Sequence, residues 1–358
     1  MADRDDMVTL IVGGERHQGW TAARISRALD TLVGSFDVTL TERWADQPAR
    51  FTLEAGAPCR VEIAGTPVID GWIDRLAPTI DAQSHSITIS GRDRAADLID
   101  CSAIATPGSW SNKSIEAIVT ELAKPFGIAV HVGAPTGAPL KRFALQQGES
   151  VQAVIDRLCR FRGLIAISRA DGSIELTVPA KGAPSERLVE GDNILAATAS
   201  HDVSQRFSDY LVKGQASGND QASGKTVAAV KASAKDPGVR RYRPLLIIAE
   251  EQSTIAALET RAKWEATTRL GKAQQVTVTA LGWHRPDGQL RDRNTLVEID
   301  APSMFAVGMM LVQQIDYVFD DRGRTAELTL VPPEAWQQMA VPEKVEPSRV
   351  GKQQKVRR

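Results

Sequence analysis

Residues 90–103, SGRDRAADLIDCSA, concentrate groups able to do chemistry. Arg92, Asp93, Arg94, Asp97 and Asp100 interleave guanidinium and carboxylate groups along one short stretch. Opposed charges crowd in this way in active sites, where they tune one another's protonation, and at domain seams, where they pair off. An alternating run, SITIS (Ser86–Ser90), leads into the cluster, and Ala95, Ala96, Leu98 and Ile99 follow as the start of a short helical segment. Gly91 is expected to turn the chain out of the strand. Asp93 falls near the N-terminus of the helical segment, where an anion is favoured. Arg92 and Arg94 have Asp93, Asp97 and Asp100 within local reach, so the charges can largely satisfy one another. Arg92, Asp93, Arg94 and Asp97 therefore read as an ion-paired domain junction or subunit contact, not as a catalytic set.

Other signals of chemistry fall short of their motifs. GNDQASGKT resembles a phosphate-binding loop, but five residues separate Gly218 from Gly224 where the motif needs four, and a poor helix candidate follows Thr226. GxSxG and HExxH are absent. Glu62 and Glu298 alternate with apolar residues in two VEI segments, which predicts solvated carboxylates on an outer sheet face and not a glycosidase pair. Cys59, Cys101 and Cys159 are odd in number and far apart, and the five histidines lack ligand spacing. This predicts no metal, no cofactor and no disulfide scaffold. Lys plus Arg (43) nearly cancels Asp plus Glu (44), which gives no global case for a nucleic-acid or anionic-membrane partner. The acidic start MADRDDMVTL lacks an apolar core and is not expected to be a signal peptide. No run approaches the ~20 apolar residues of a membrane span. Folding is expected in the cytosol, without membrane anchoring. The seven tryptophans are scattered, which argues against a sugar-stacking platform.

The elements that position these groups change period along the chain. From about 7 to 95, short alternating runs separated by turns predict a barrel-like antiparallel β domain. FDVTLTERW, for example, puts Phe36, Val38 and Leu40 on one face. From about 105 to 180 the period becomes helical. Ile115, Ile118, Val119 and Leu122 form one stripe, with Ser111 or Asn112 as N-cap, and Val151, Val154, Ile155 and Leu158 form another. In each unit a glycine, Gly127 or Gly163, follows twelve residues after the first apolar position and precedes a β-prone run. The result is a repeated helix–Gly–strand unit, with a hairpin turn at Asp171-Gly172. From 186 the chain is β again, with a long Gly/Ser/Lys-rich loop over 214–240 and an Ala-rich helix over 253–271.

The expected organisation is mainly β. Two barrel-like β domains, 1–95 and 186–340, flank a small α+β module, 96–185, and a basic flexible tail closes the chain at 341–358. RVEIAG…DGWIDRLAP…SITISG is echoed by LVEIDA…VQQIDYVF…AELTLV, which suggests that the two β domains are related.

With these stretches in view, the chain resembles the baseplate hub proteins of contractile-tailed phages, the Mu-like tail protein family. More distantly it is similar to the tail protein D group and to the hub portion of type VI secretion spikes. The resemblance is carried by Ser90–Ala103, by LAKPFGI (Leu122–Ile128), by YRPLLIIAEE (Tyr242–Glu251), by RAKWEATTRLGKAQQVTVTALGW (Arg261–Trp283) and by LTLVPPEAW (Leu328–Trp336). It implies a structural protein of the virion tail, assembled in the host cytoplasm, with no catalytic, cofactor-binding or metal residues. It further implies a homotrimeric ring that adapts a sixfold tail tube to a threefold central spike and encloses a DNA passage without specific binding. The partners implied are the spike, the tube, other baseplate proteins and a tape measure protein. The alternatives are a hub-associated peptidoglycan hydrolase and the hub part of a bacterial secretion spike.

Overall fold

The computed structural model describes residues 7–41, 53–80, 85–215, 230–252, 255–336 and 339. The tail 341–358 lies outside them. The first β region forms β1 (Val8–Val12), β2 (Glu15–His17), β3 (Ala22–Ala28), β4 (Ser35–Thr41), β5 (Pro58–Ile63), β6 (Thr66–Ile80) and β7 (His85–Asp93). The middle segment holds α1 (Ala96–Asp100), β8 (Ser109–Lys113), α2 (Ile115–Ala123), β9 (Val130–Val132), β10 (Leu140–Ala144), α3 (Val151–Arg160), β11 (Ile165–Ser168) and β12 (Ile174–Thr177). The last region contains β13 (Arg187–Val189), β14 (Ile194–His201), β15 (Asp209–Gln215), β16 (Val230–Lys235), β17 (Pro244–Gln252), α4 (Ile255–Lys272), β18 (Gln274–Leu281), β19 (Leu296–Ala301), β20 (Ala306–Asp320) and β21 (Gly323–Val331). The fold is mainly β, as the alternation predicts.

Both β regions hydrogen-bond into one thirteen-stranded sheet, whose main path runs β14-β18-β21-β20-β3-β4-β7-β6-β5-β1-β2. Among the described residues this path is open. The join is β20 against β3, antiparallel from Gln314↔Ala28 to Phe319↔Ala23. One apolar core follows the sheet across the join and includes Ile25, Phe36, Val61 and Ile89 with Val278, Ile299, Ile315 and Leu328.

The two halves of the sheet repeat one topology. The meander β5-β6-β7 has strands of 6, 15 and 9 residues, and so does β19-β20-β21. β7 pairs with β4 and β4 with β3; likewise β21 pairs with β18 and β18 with β14. β1 borders β5 as β13 borders β19, although the first pair is antiparallel and the second parallel. Each long strand carries a bulge at the same place, at Asp74 in β6 and at Gln313 in β20. The flanking hydrogen bonds also match. Ile73 exchanges bonds with Gly56 and Ala57, as Val312 does with Asn294 and Thr295. The sequence echo is therefore a structural repeat. It differs most in the β14–β18 connection, which carries β15–β17 and α4 where β3 and β4 are joined by a short turn.

The middle segment forms as its periodicity dictates. The stripes Ile115, Ile118, Val119, Leu122 and Val151, Val154, Ile155, Leu158 are all buried in one core. Gly127 and Gly163 take left-handed φ values of 67° and 66° past the helix ends. The N-cap of α2 is Ser114, which accepts from Ala117 N at 3.2 Å, and not Ser111 or Asn112, which belong to β8. Ser150 caps α3 in the same way. In the stretch expected to be a loop, 214–240, Val230–Lys235 pair with β15; residues 216–229 lie outside the described ones.

Gly91 departs from its expected role. It stands inside β7, opposite Ile73 and Phe36. A Cβ there would lie 2.2 Å from the Trp72 carbonyl oxygen and 2.5 Å from the Phe36 ring, so the glycine permits close approach of strand and ring, not a turn. Glu62 also departs from expectation: it is buried beside the Val61/Glu62 register shift and accepts from Arg16 at 3.0 Å. Gly91→Ala is expected to lower stability by about 1–3 kcal/mol through overpacking, read as a lower urea midpoint with an unchanged m-value.

Candidate functional site: the seam between the sheet halves

The seam is built by three strand ends and one loop. β3 and β20 lie side by side, and Asp316 sits between them with 4% exposure. Its carboxylate accepts from Arg24 Nη2 at 3.0 Å, from Gln314 Nε2 at 2.9 Å and from the Ser26 hydroxyl. Arg24 also donates to Glu327 on β21 at 2.9 Å, so one guanidinium spans three strands. Asp316 follows the alternation of β20 onto the face away from the core, and these partners make that position tolerable for a buried charge. Beyond the bulge, Leu29 N donates to Gln313 O at 2.9 Å and extends the join.

At the end of the seam the middle segment is fastened. Arg27 donates to Asp292 at 2.8 Å and to Ser168 O at 3.5 Å. Arg293 donates to the Ser168 carbonyl and, at 3.2 Å, to its hydroxyl. Asp93, 2% exposed, accepts from Gly34 N at 2.7 Å and from Ala95 N at 3.1 Å. Asn294 accepts from Ala180 N at 2.8 Å and donates to Val178 O at 3.1 Å. β3, β7, the loop before β19 and the exit from β11 thus meet in one buried polar knot. An apolar cluster beside it joins Leu29, Ile165, Leu296, Leu311 and Val331.

The knot perturbs its own groups. Burial raises the Asp93 carboxyl above the usual carboxylate range; a Ser168 hydrogen bond, the Gly34 N–H and the Arg293 and Arg27 charges oppose this only in part. Burial, with the Arg27 charge added, pulls Arg293 down to about 10. Burial also works against the charge on Arg27, but Asp292, Tyr317 and Asp93 leave its pKa raised on balance.

Of the residues singled out in the sequence, Asp93 enters this knot and the others surround it. Arg92 is on the surface, bound to Asp74 at 2.6 Å and to Asp100 at 2.8 Å; those bonds raise its pKa. Arg94 binds Asp70 at 2.5 Å and lies over the Trp72 ring. Asp97 stands with Gly56, Trp72 and Asp74 around a shallow cleft. The principal partners of the arginines are therefore carboxylates of the neighbouring strand β6, Asp70 and Asp74; only Asp100 is local. Sequence reading missed Asp316, Arg27, Ser168 and Arg293. A second Arg-Asp-Arg, residues 291–293, was the available signal for the last of these.

The arrangement holds strands together and presents no aligned nucleophile and base. Among the described residues no His, Cys, Asp and Glu group could hold a metal ion. Cys59 and Cys159 are buried, and burial pushes both thiols up to about 12, while Cys101 is exposed.

Baseplate hub protein gp44 of Escherichia phage Mu is 34% identical over 342 residues, which is 92% of this chain and 88% of that one. The chain belongs to the phage baseplate hub protein family. Family models match it in order. They are the N-terminal domain of Mu phage baseplate assembly protein GpP-like proteins (7–93), the second domain of baseplate hub protein gp44-like proteins (95–178), the third domain of tail protein NMB1110-like proteins (206–264) and the fourth domain of Mu phage baseplate assembly protein GpP (254–339). A 43 kDa tail protein of prophage MuSo2 from Shewanella oneidensis superposes with a TM-score of 0.84 at 33% identity, over 93% of this chain and all of that one. The tail protein from Neisseria meningitidis MC58 shares the fold, with a TM-score of 0.78 at 23% identity over 94% and 99% of the two chains. So does a type VI secretion component of E. coli, with a TM-score of 0.58 at 12% identity over 94% and 81%. This hub protein is thus a structural component of the virion tail. No helix among its described residues is long and apolar enough to cross a membrane.

Asp93→Asn turns one acceptor away from a buried N–H, and a loss of about 1–3 kcal/mol is expected at pH 7. The folded-state pKa of Asp93 is raised, so the folded wild type takes up a proton there before the unfolded chain does, and its stability gains on acidification. Urea unfolding is therefore expected to show the gap between wild type and variant widening as the pH is lowered from 7 toward the ordinary aspartate value of 3.8.

Proposed function

We propose that this hub protein forms a homotrimeric ring that adapts a sixfold tail tube to a threefold central spike and leaves an axial passage for DNA without binding it specifically. The observation that carries the reading is the repeated half-sheet. Each chain supplies two units of one topology, side by side, so three chains supply six similar units with true threefold symmetry. The departures from the repeat fit the same scheme. The middle segment and the β15–β17/α4 insertion occur once per chain, so they recur three times around such a ring and suit threefold neighbours.

The division of labour follows. Residues 1–95 and 186–340 act as the ring-forming barrel-like domains and 96–185 as the α+β module between them. Arg92, Asp93, Arg94 and Asp97 serve as the junction between the first two parts, a reading supported by family models that end at 93 and resume at 95. The role is mechanical and asks for no turnover of a substrate.

Light scattering across a concentration series, with and without the spike protein, tests this. A trimer of 38.7 kDa chains is expected, with six similar lobes in averaged electron micrographs. Chains that remain monomeric and dimeric even with the spike present would overturn the reading.

A further inference from the structure

β17 carries more apolar surface than the chain covers. Its run LLIIA (Leu245–Ala249) lacks the polar alternation of a half-exposed strand, and it pairs in parallel with β15. Unbroken apolar runs in parallel strands are the mark of a strand buried on both faces. Among the described residues only one face is covered. α4 covers it, packing Leu258 and Ala262 on Val212, Ala232, Ala234 and Ile247. On the opposite face Leu246 is 52% and Ile248 66% exposed, with Leu211 of β15 half-buried beside them. Tyr242, 87% exposed, stands just ahead of the strand.

The same face sets charge of one sign beside this apolar strip. The register puts Lys213 next to Ile248 on one side and directly opposite Lys231 on the other. Both lysines are exposed. Like charges opposed across a strand pair are unfavourable unless something answers them. The next row, Ser233–Leu211–Leu246, is uncharged, and in the row after that Lys235 faces Asp209. Beyond Lys231, Glu259 and Lys263 of α4 border an open cavity of about 570 Å³ and offset one another. The unbalanced charge of the face is thus the Lys213–Lys231 pair.

We infer that this face is the docking site of an acidic amphipathic helix from another polypeptide. Such a helix lays an apolar stripe, spaced i, i+3, i+4 and i+7, on Leu211, Leu246 and Ile248. Its flank toward β16 carries aspartates or glutamates over Lys213 and Lys231. The three strands then lie between two helices, the setting in which parallel strands are normally found. A strand added to the free edge of β17 fits less well. Lys213 and Lys231 stand one and two strands in from that edge, at ~5 Å per strand, and a ligand meets both only by lying on the face.

The occupants nearer to hand lack this chemistry. The chain's own end, 341–358, holds six lysines and arginines against two glutamates, the same sign as the lysines it would meet. The described helices of a second copy offer no acidic apolar stripe. α2 and α3 bury their apolar residues, and the exposed ones of α4, Ile255 and Leu270, stand near opposite ends of the helix. A partner of other sequence is what remains, held by apolar contact and selected by charge. The docking face stands whether or not the chains form a ring.

The probe is a fluorescently labelled helical peptide of about 16 residues, roughly 24 Å long, with leucines at i, i+3, i+4 and i+7 and glutamates on both flanks. Anisotropy titrations with the full chain are expected to show it binding at least tenfold tighter than the same peptide with lysines for glutamates, or with its leucines scrambled. Added salt is expected to narrow the first difference. Leu246→Ser with Ile248→Ser is expected to weaken binding at least tenfold. Lys213→Glu with Lys231→Glu is expected to turn the preference toward the lysine peptide. All four side chains are exposed, so both variants are expected to keep the wild-type Tm. Equal binding of the three peptides, or a preference that ignores all four substitutions, would overturn the docking site. So would self-association in light scattering that the serine pair abolishes while peptide binding persists, because a second copy would then be the occupant.

Discussion

The pairing of β3 with β20 is the contact on which the rest of the architecture depends. It brings together residues almost three hundred positions apart and makes one sheet of two copies of a smaller one. Backbone bonds alone do not choose this partner, because any exposed edge offers the same donors and acceptors. The choice is made by side chains. Asp316 is buried where Arg24 and Ser26 arrive with the neighbouring strand and join Gln314 of its own, and a shift by one residue would take those two partners away. The charge thus acts as a register key more than as a source of stability, and the continuous apolar core beneath supplies the adhesion.

The knot at the end of the seam applies the same logic to the middle segment. Ser168 accepts from both Arg27 and Arg293, so the first half-sheet, the second half-sheet and the helical module share one acceptor. Burial, with the Arg27 charge added, pulls Arg293 down, while at Arg27 the charges of Asp292, Tyr317 and Asp93 outweigh the burial. The net effect is a rigid corner.

What could be read from the sequence follows the range of the interaction. The stripes of α2 and α3, their glycine stops and the alternation of β4 depend on neighbours three to four or two positions apart, and all were legible. Of the partners of Arg92 and Arg94, only Asp100 was. Asp70 and Asp74 lie on an adjacent strand, and local spacing instead offered Asp93 and Asp97. Gly91 misled for a related reason. A glycine after an alternating run reads as a stop, and only the Phe36 ring and the Trp72 carbonyl, both brought in by other strands, show that it serves close approach. The N-cap of α2 was misplaced by a few residues because four polar residues precede the helix and β8 claims the first three. The seam itself was invisible, since nothing local marks Asp316 as buried.

The repeat is where weak sequence evidence and strong structural evidence meet, and their difference is informative. The two half-sheets keep strand lengths, bulge positions and flanking hydrogen bonds, yet share little beyond VEI and a few apolar positions. Constraint has therefore acted on geometry and much less on side chains. That is the expected outcome if the two halves must present equivalent backbone edges in a common arrangement while their surfaces meet different neighbours. Gly71 and Gly91 in the first half leave room for close backbone and ring contacts, where the matching positions of the second half carry Met310 and Leu330, so the halves are matched in path but not in side chains. A single bulge per long strand is what makes this workable. It lets one strand pair with its own hairpin neighbour up to that point and offer its remainder to a different unit beyond it.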